Sequence, residues 1–195
     1  MQTFYWKWVL WVTLFPLIAI PVPIRSLAVA VDFRPEADTY IYQSYPNTNY
    51  GSTTSVAVGG PPNRREIFIR FNVTGLPVGS TVTDARLIVV ASNGSGAAGG
   101  GGTIRKFSPS VEQWNETQPT WNNPLSGSDA SGDLSTLGPV SIGGTYTFSG
   151  LQSAVVANGR VTFVIRSTQE DGAAYYSKEY GTASQRPTLR VTYQP

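Results

Sequence analysis

The chain has no cysteine and no histidine among its 195 residues, and only one methionine. Without thiols there is no disulfide framework, no thiolate nucleophile and no cysteine zinc site; without imidazole the commonest general base and the commonest metal ligand are both missing. Charge is scarce too, at 13% Asp, Glu, Lys and Arg. Salt-bridged surface helices are therefore poorly provided for. The 20 glycines, 14 prolines and plentiful Thr, Ser and Asn suit short strands joined by turns instead. A chain of this length has room for one domain with a sizeable core. Packing and strand pairing must supply the stability that cross-links do not.

Long apolar runs are missing except near the start. In MQTFYWKWVLWVTLFPLIAIPVPIRSLAVA, Lys7 precedes a largely apolar stretch from Trp8 to Ile24, and Ala28-Val29-Ala30 fits the small-x-small pattern before a cleavage point. Pro16, Pro21 and Pro23 interrupt a run already shorter than the about 20 residues a membrane-spanning helix needs. Residues 1–30 thus read as a signal peptide and residues 31–195 as one secreted domain, with no membrane span after cleavage. Of the 14 basic residues, Lys7 and Arg25 precede position 31, whereas all 12 acidic ones follow it, so the mature chain is formally neutral. That argues against a sequence-blind nucleic-acid binder, which needs a broad basic surface.

What is present is alternation. In EIFIRFNV, Ile67, Ile69, Phe71 and Val73 share one side, and Glu66, Phe68, Arg70 and Asn72 the other. ARLIVVA places Ala85, Leu87, Val89 and Ala91 together, and RVTFVIRS does the same with Val161, Phe163 and Ile165. VSIGGTYTF, AAYYSKE and PTLRVTY read as further strands. The run NGSGAAGGGG, Asn93 to Gly102, reads as a flexible hairpin loop; a phosphate loop would need a following Lys-Ser/Thr and an amphipathic helix. Leu151, Ala154 and Val155 recur at helical spacing before Gly159, which predicts the one helix. About nine strands and one short helix predict an all-β, jelly-roll-like antiparallel β-sandwich.

Five stretches, in order, resemble the DNRLRE domain, which overlaps carbohydrate-binding module family 96 and the disaggregatase-related repeat. They are ADTYIYQSYPNTNYG (Ala37 to Gly51), RREIFIRFNVTGLP (Arg64 to Pro77), WNETQPTWNN (Trp114 to Asn123), YYSKE (Tyr175 to Glu179) and RPTLRVTY. The resemblance runs from Ala37 to Tyr193. It implies a β-sandwich of the kind attached to secreted polysaccharide-degrading enzymes or surface proteins, and non-catalytic binding of an acidic or neutral polysaccharide, alginate among them.

Within WNETQPTWNN, Trp114 and Trp121 read as pegs that pin a long loop, with Asn115 and Asn122 capping its turns. Glu112 and Glu116 lack the fixed separation that glycoside hydrolysis needs. Sugar recognition needs flat apolar surface and planar donors for carboxylates. The outward strand positions Phe68, Arg70, Arg166, Tyr176 and Lys178 supply both and are the candidate carbohydrate-binding residues. Glu179 reads as an inward acid that an arginine such as Arg65 would neutralise. Asp38 with nearby carboxylates could hold a structural calcium, as β-sandwich sugar binders often do; no other cofactor is expected. Sequons stand at Asn72, Asn93 and Asn115. The leading expectation is a secreted, monomeric binder of uronate-rich polysaccharide. The alternatives are a structural or adhesive surface module, marked by a flat apolar patch or open edge strand, and a polysaccharide lyase, marked by a deep cleft with Tyr, Lys and Arg.

Overall fold

The computed structural model describes residues 1–3, 27–97 and 99–195, so most of the predicted signal peptide lies outside the described residues. Twelve strands form among the described residues, in two six-stranded antiparallel sheets. The first sheet runs β1 (Val29–Phe33), β12 (Thr188–Gln194), β5 (Thr81–Asn93), β11 (Ala174–Tyr176) and β3 (Ser55–Ala57), with β9 (Thr145–Phe148) also on β5. The second runs β2 (Pro35–Tyr42), β4 (Arg65–Val73), β10 (Gly159–Arg166), β6 (Gly102–Pro109) and β7 (Gly127–Asp129), with β8 (Ser135–Leu137) also on β6. This is a β-sandwich, with three strands more than the sequence suggested. The strands it did not show include β3, β7 and β8, each of three residues and too short to show a period.

The alternation holds residue by residue. Ile67, Ile69, Phe71 and Val73 of β4 and Val161, Phe163 and Ile165 of β10 are all buried, and they meet Ala85, Leu87, Val89 and Ala91 of β5 across the sandwich. Antiparallel pairing of Phe163 with Ile69 and of Ile165 with Ile67 keeps these apolar positions in register. Each such side chain contributes about 1.5–3 kcal/mol when fully buried. Tyr175 closes the core with no exposure, its hydroxyl donating to the carbonyl of Gly101 at 2.6 Å. Burial pushes that phenol well above its ordinary pKa, so it stays neutral.

Two expectations are corrected. Leu151, Ala154 and Val155 do face the core, but the chain there makes only i to i+3 turn bonds before Gly159 begins β10. Asn158 ends it at φ 57°, its amide clasping the backbone N–H and carbonyl of Leu76. The one helical turn among the described residues is the 3-10 segment Ala183–Gln185. The glycine run is not a hairpin either, because β5 and β6 belong to different sheets. It crosses between them, with Ser95 buried and bridged to Val140. Its glycines are needed for close approach: a Cβ on Gly101 would lie 2.6 Å from Leu137, and one on Gly102 would lie 2.7 Å from Ile165.

Gly99 and Gly102 both have positive φ, but only Gly102 is crowded. Each change to alanine carries backbone strain of at least about 1 kcal/mol. Gly102→Ala should cost a further about 1–3 kcal/mol from overpacking. Urea midpoints of the two variants measure the difference; equal losses would mean the crossing yields to the added methyl.

Candidate functional site

The outer face of the second sheet is built from every other residue of β4, β6 and β10. Register sets Thr162 beside Arg70 and Phe107, and Val164 beside Phe68 and Arg105. Over the middle of this face lies the segment between β6 and β7, which contains WNETQPTWNN. Trp114 is buried in a second apolar cluster with Ala37, Ile41, Phe68, Phe107 and Val164, and Trp121 and Leu125 pack against it. Its indole N–H donates to Thr162 Oγ1 at 3.1 Å. Both tryptophans are pegs, as expected.

Arg70 holds the same segment from below. Its Nη1 donates to the carbonyls of Trp114 (2.7 Å) and Glu112 (3.1 Å), its Nε pairs with Glu36 at 3.1 Å, and its guanidinium sits 5.2 Å from the Trp114 ring centre. A second clasp comes from Asn49, whose amide donates to the carbonyls of Glu116 and Pro119, both at 2.8 Å. Gly51 lies so close that a Cβ there would overlap the Glu116 carbonyl. Asn115 turns the chain by accepting from the N–H and hydroxyl of Thr117. Asn122 does not cap a turn; its amide reaches across to Asn47.

Beside this clasp stands a charged knot. Carboxylate oxygens of Asp38, Glu116 and Glu179 lie within 4.8 Å of one another. Lys178 Nζ pairs with Glu116 at 2.8 Å and with Glu179 more closely still. Backbone N–H groups of Lys178 and Asp38 bond Asp38 Oδ2 (2.8 Å) and Glu116 Oε2 (3.0 Å) respectively. Burial, together with the charges of Glu179 and Glu116 and against the Lys178 N–H bond, pushes the Asp38 carboxyl up to about 8. Glu179 Oε2, one of the three clustered carboxylates, is buried without a hydrogen-bond partner. The expected Glu179–Arg65 pairing does not form: the ammonium next in sequence reaches Glu179 instead. The donor set also fits calcium poorly. Calcium takes six to eight oxygens, and here an ammonium already sits on two of the three carboxylates.

Three of the five candidate sugar contacts therefore serve the loop. Phe68 faces outward as expected but is buried beneath Trp114, and Arg70 and Lys178 hold the loop's backbone and Glu116. Alternation showed which side these residues face but not that a distant loop covers that side. Tyr176 stands apart on the first sheet, stacked on Tyr180 with ring centres 3.7 Å apart. Lys178 lines one cavity with Arg34, Glu36 and Arg186, and Arg166 opens into another, on the outer face of the second sheet.

That cavity, about 310 Å³, lies at the Glu66–Arg166 end and is lined by Arg64, Arg65, Arg105 and Arg166, with Glu66 and Asp133. Arg166 Nε donates to Glu66 at 2.7 Å and its Nη1 to both oxygens of Asp129 at 2.7 Å. Arg105 bonds Asp133 at 2.5 Å and Asp129 at 3.0 Å. Burial opposes the charge on Asp129, but hydrogen bonds from Arg166 and Arg105 outweigh it and hold the carboxyl below its ordinary 3.8. Arg64, Arg65 and Arg105 were missed; their clustering depends on strand register and on a turn that returns beside β4. The model of carbohydrate-binding module family 96 matches residues 29–193.

The chain belongs to carbohydrate-binding module family 96.

No curated protein matches it. In this family 96 module, the stretches that carry the resemblance converge on the loop: Asp38, Asn49 and Gly51 from the first, Arg70 from the second, and Lys178 and Glu179 from the fourth. They maintain the shape of the outer face.

Two predictions follow from the clasp. Trp114→Ala should cost about 3–5 kcal/mol, the range for a buried Trp. An unchanged melting temperature with lost glycan binding would make the ring a sugar platform instead. For Asp38, a folded-state pKa near 8 against an ordinary 3.8 means that folding takes up a proton between those values. This group's contribution is thus most favourable below about pH 4 and is lost as pH rises to about 8. Asp38→Asn mimics the protonated form, so its stability advantage over the parent should grow from pH 4 to pH 8. A constant difference in urea midpoint across that range would show that Asp38 is ionised in the fold.

Proposed function

We propose that the protein is a secreted, non-catalytic carbohydrate-binding module that takes uronate-rich polysaccharide on the outer face of the second sheet, at its arginine-lined end. Family membership supports sugar binding. The observation that carries the acidic preference is the gathering of four guanidinium groups in one cavity on a chain whose mature charge is zero. Guanidinium forks match carboxylates geometrically, and two of the four are already oriented by Glu66, Asp129 and Asp133.

Two features support a non-catalytic role. No tyrosine or lysine lines this cavity, and Tyr42, which packs its ring against Arg65, is not among the lining residues. Glu116 is engaged by Lys178 and by the Asp38 backbone, which leaves it poorly suited to serve as a catalytic acid. Against an adhesive role, the large exposed apolar residues beyond β1, namely Tyr45, Val78, Val111, Ile142 and Val156, fall in five separate connections. No described helix is long and apolar enough to cross a membrane. We read the module as a monomer that works without a metal, the Lys178 ammonium supplying the countercharge that calcium otherwise would.

The test uses the exported protein, whose intact mass should place its first residue near Val31. Alginate, pectate and a neutral glucan are titrated at 0.1 and 1 M salt, where the Debye length falls from about 10 to 3 Å. The uronate polymers should bind more tightly than the glucan, and their advantage should shrink at high salt. Equal affinity for all three at both salts would remove the acidic preference, and retention of Met1 would remove secretion with cleavage.

A further inference from the structure

The four arginines of the cavity are not equivalent. Arg105 and Arg166 are committed to Asp129, Asp133 and Glu66. Arg65 has no acidic partner within 4.0 Å among the described residues, and its side chain donates no hydrogen bond there; its Nε is buried and unpaired. The guanidinium lies 5.2 Å from the ring centre of Tyr42, its neighbour across the β2–β4 pair. On another side it meets Gly59, bridged backbone to backbone with Arg65; a Cβ there would come within 3.3 Å of both Nε and Nη2. The aromatic ring and the bare glycine thus hold a half-buried cation flat without neutralising it.

We infer that Arg65 is the specificity-determining residue of this cavity, seating the carboxylate of a single uronate unit on its guanidinium. This rests on the acidic-polysaccharide reading and deepens it. A half-buried guanidinium without an acid beside it still has donors to satisfy, so a carboxylate gains more here than at an arginine already bonded to acids. The charge is suitable as well. The four arginines are offset by three acids that line the cavity or bond its arginines, leaving one formal positive charge for one carboxylate. Arg105 and Arg166, fixed by their acids, form the wall against which the sugar ring rests. The volume, at the low end for small-ligand sites, suits one sugar unit rather than a buried chain.

The experiment compares the full mature chain with R65A, R65K, G59A and R86A by calorimetric titration of alginate, pectate, a sulfated galactan and a neutral glucan, with melting curves for each variant. R86A removes the same charge from the other sheet, where Arg86 pairs with Asp84. R65A should weaken uronate binding at least tenfold, and R65K nearly as much because the fork is lost although the charge remains. G59A, which crowds the guanidinium without deleting it, should weaken binding at least threefold and keeps the test open if R65A does not fold. R86A should bind as the parent does. Parent binding with R65A within twofold, or R65K equal to the parent, overturns the Arg65 assignment alone. Tighter binding of the sulfated galactan than of either uronate polymer overturns the carboxylate assignment. Failure of the parent to bind any acidic polymer overturns this inference together with the reading it rests on.

Discussion

The placement of the Trp114 ring against Thr162, Phe68 and Val164 is the contact on which the outer face depends. A sandwich needs only its inner faces to be apolar, yet here the second sheet is apolar in the middle of its outer face too, where Phe68, Phe107 and Val164 would be exposed if nothing covered them. The loop that covers them has little regular structure, and its backbone polar groups need partners. Arg70 and Asn49 supply those partners, and Lys178 fixes the Glu116 side chain. In a chain without disulfides, an aromatic peg and side-chain clasps do the work of a cross-link.

The same arrangement shows why the inner faces were legible in the sequence and the outer face was not. Inward positions of β4, β5 and β10 obey a local rule, the two-residue period, and Ile67 through Val73 could be placed from eight residues of sequence. Phe68 and Arg70 obey the rule as well, and their outward direction was read correctly. Their burial depends on a segment about forty residues away, which no local period encodes. The Leu151–Val155 stretch failed differently: its spacing is helical and its apolar residues are buried, but a single stretch of turns satisfies that pattern before the chain must extend into β10. The glycine run failed because glycine reports freedom from a side chain, which serves flexibility and tight packing equally well.

The cavity arginines illustrate a third limit. Arg64 and Arg65 precede a clear strand, Arg105 lies in another and Arg166 ends a third; only the order of β4, β10 and β6 within one sheet brings them together. Sequence reasoning found Arg166 because it stood on a well-marked strand. It took Arg65 for the partner of a buried acid, whereas the acid is served by Lys178 and Arg65 is left available.

The pairing of β1 with β12 joins the two ends of the fold. Val31 sits opposite Val191 and Phe33 opposite Leu189, so the entering and leaving chain lie side by side at the same edge of the first sheet. Tension applied between the two ends would peel β1 away one residue pair at a time, like a zipper, rather than shear many hydrogen bonds at once. The outer face of the other sheet would stay intact during the first stage of such pulling. Pulled by its two ends, the module would therefore lengthen by releasing its edge strand before the arginine-lined cavity was disturbed.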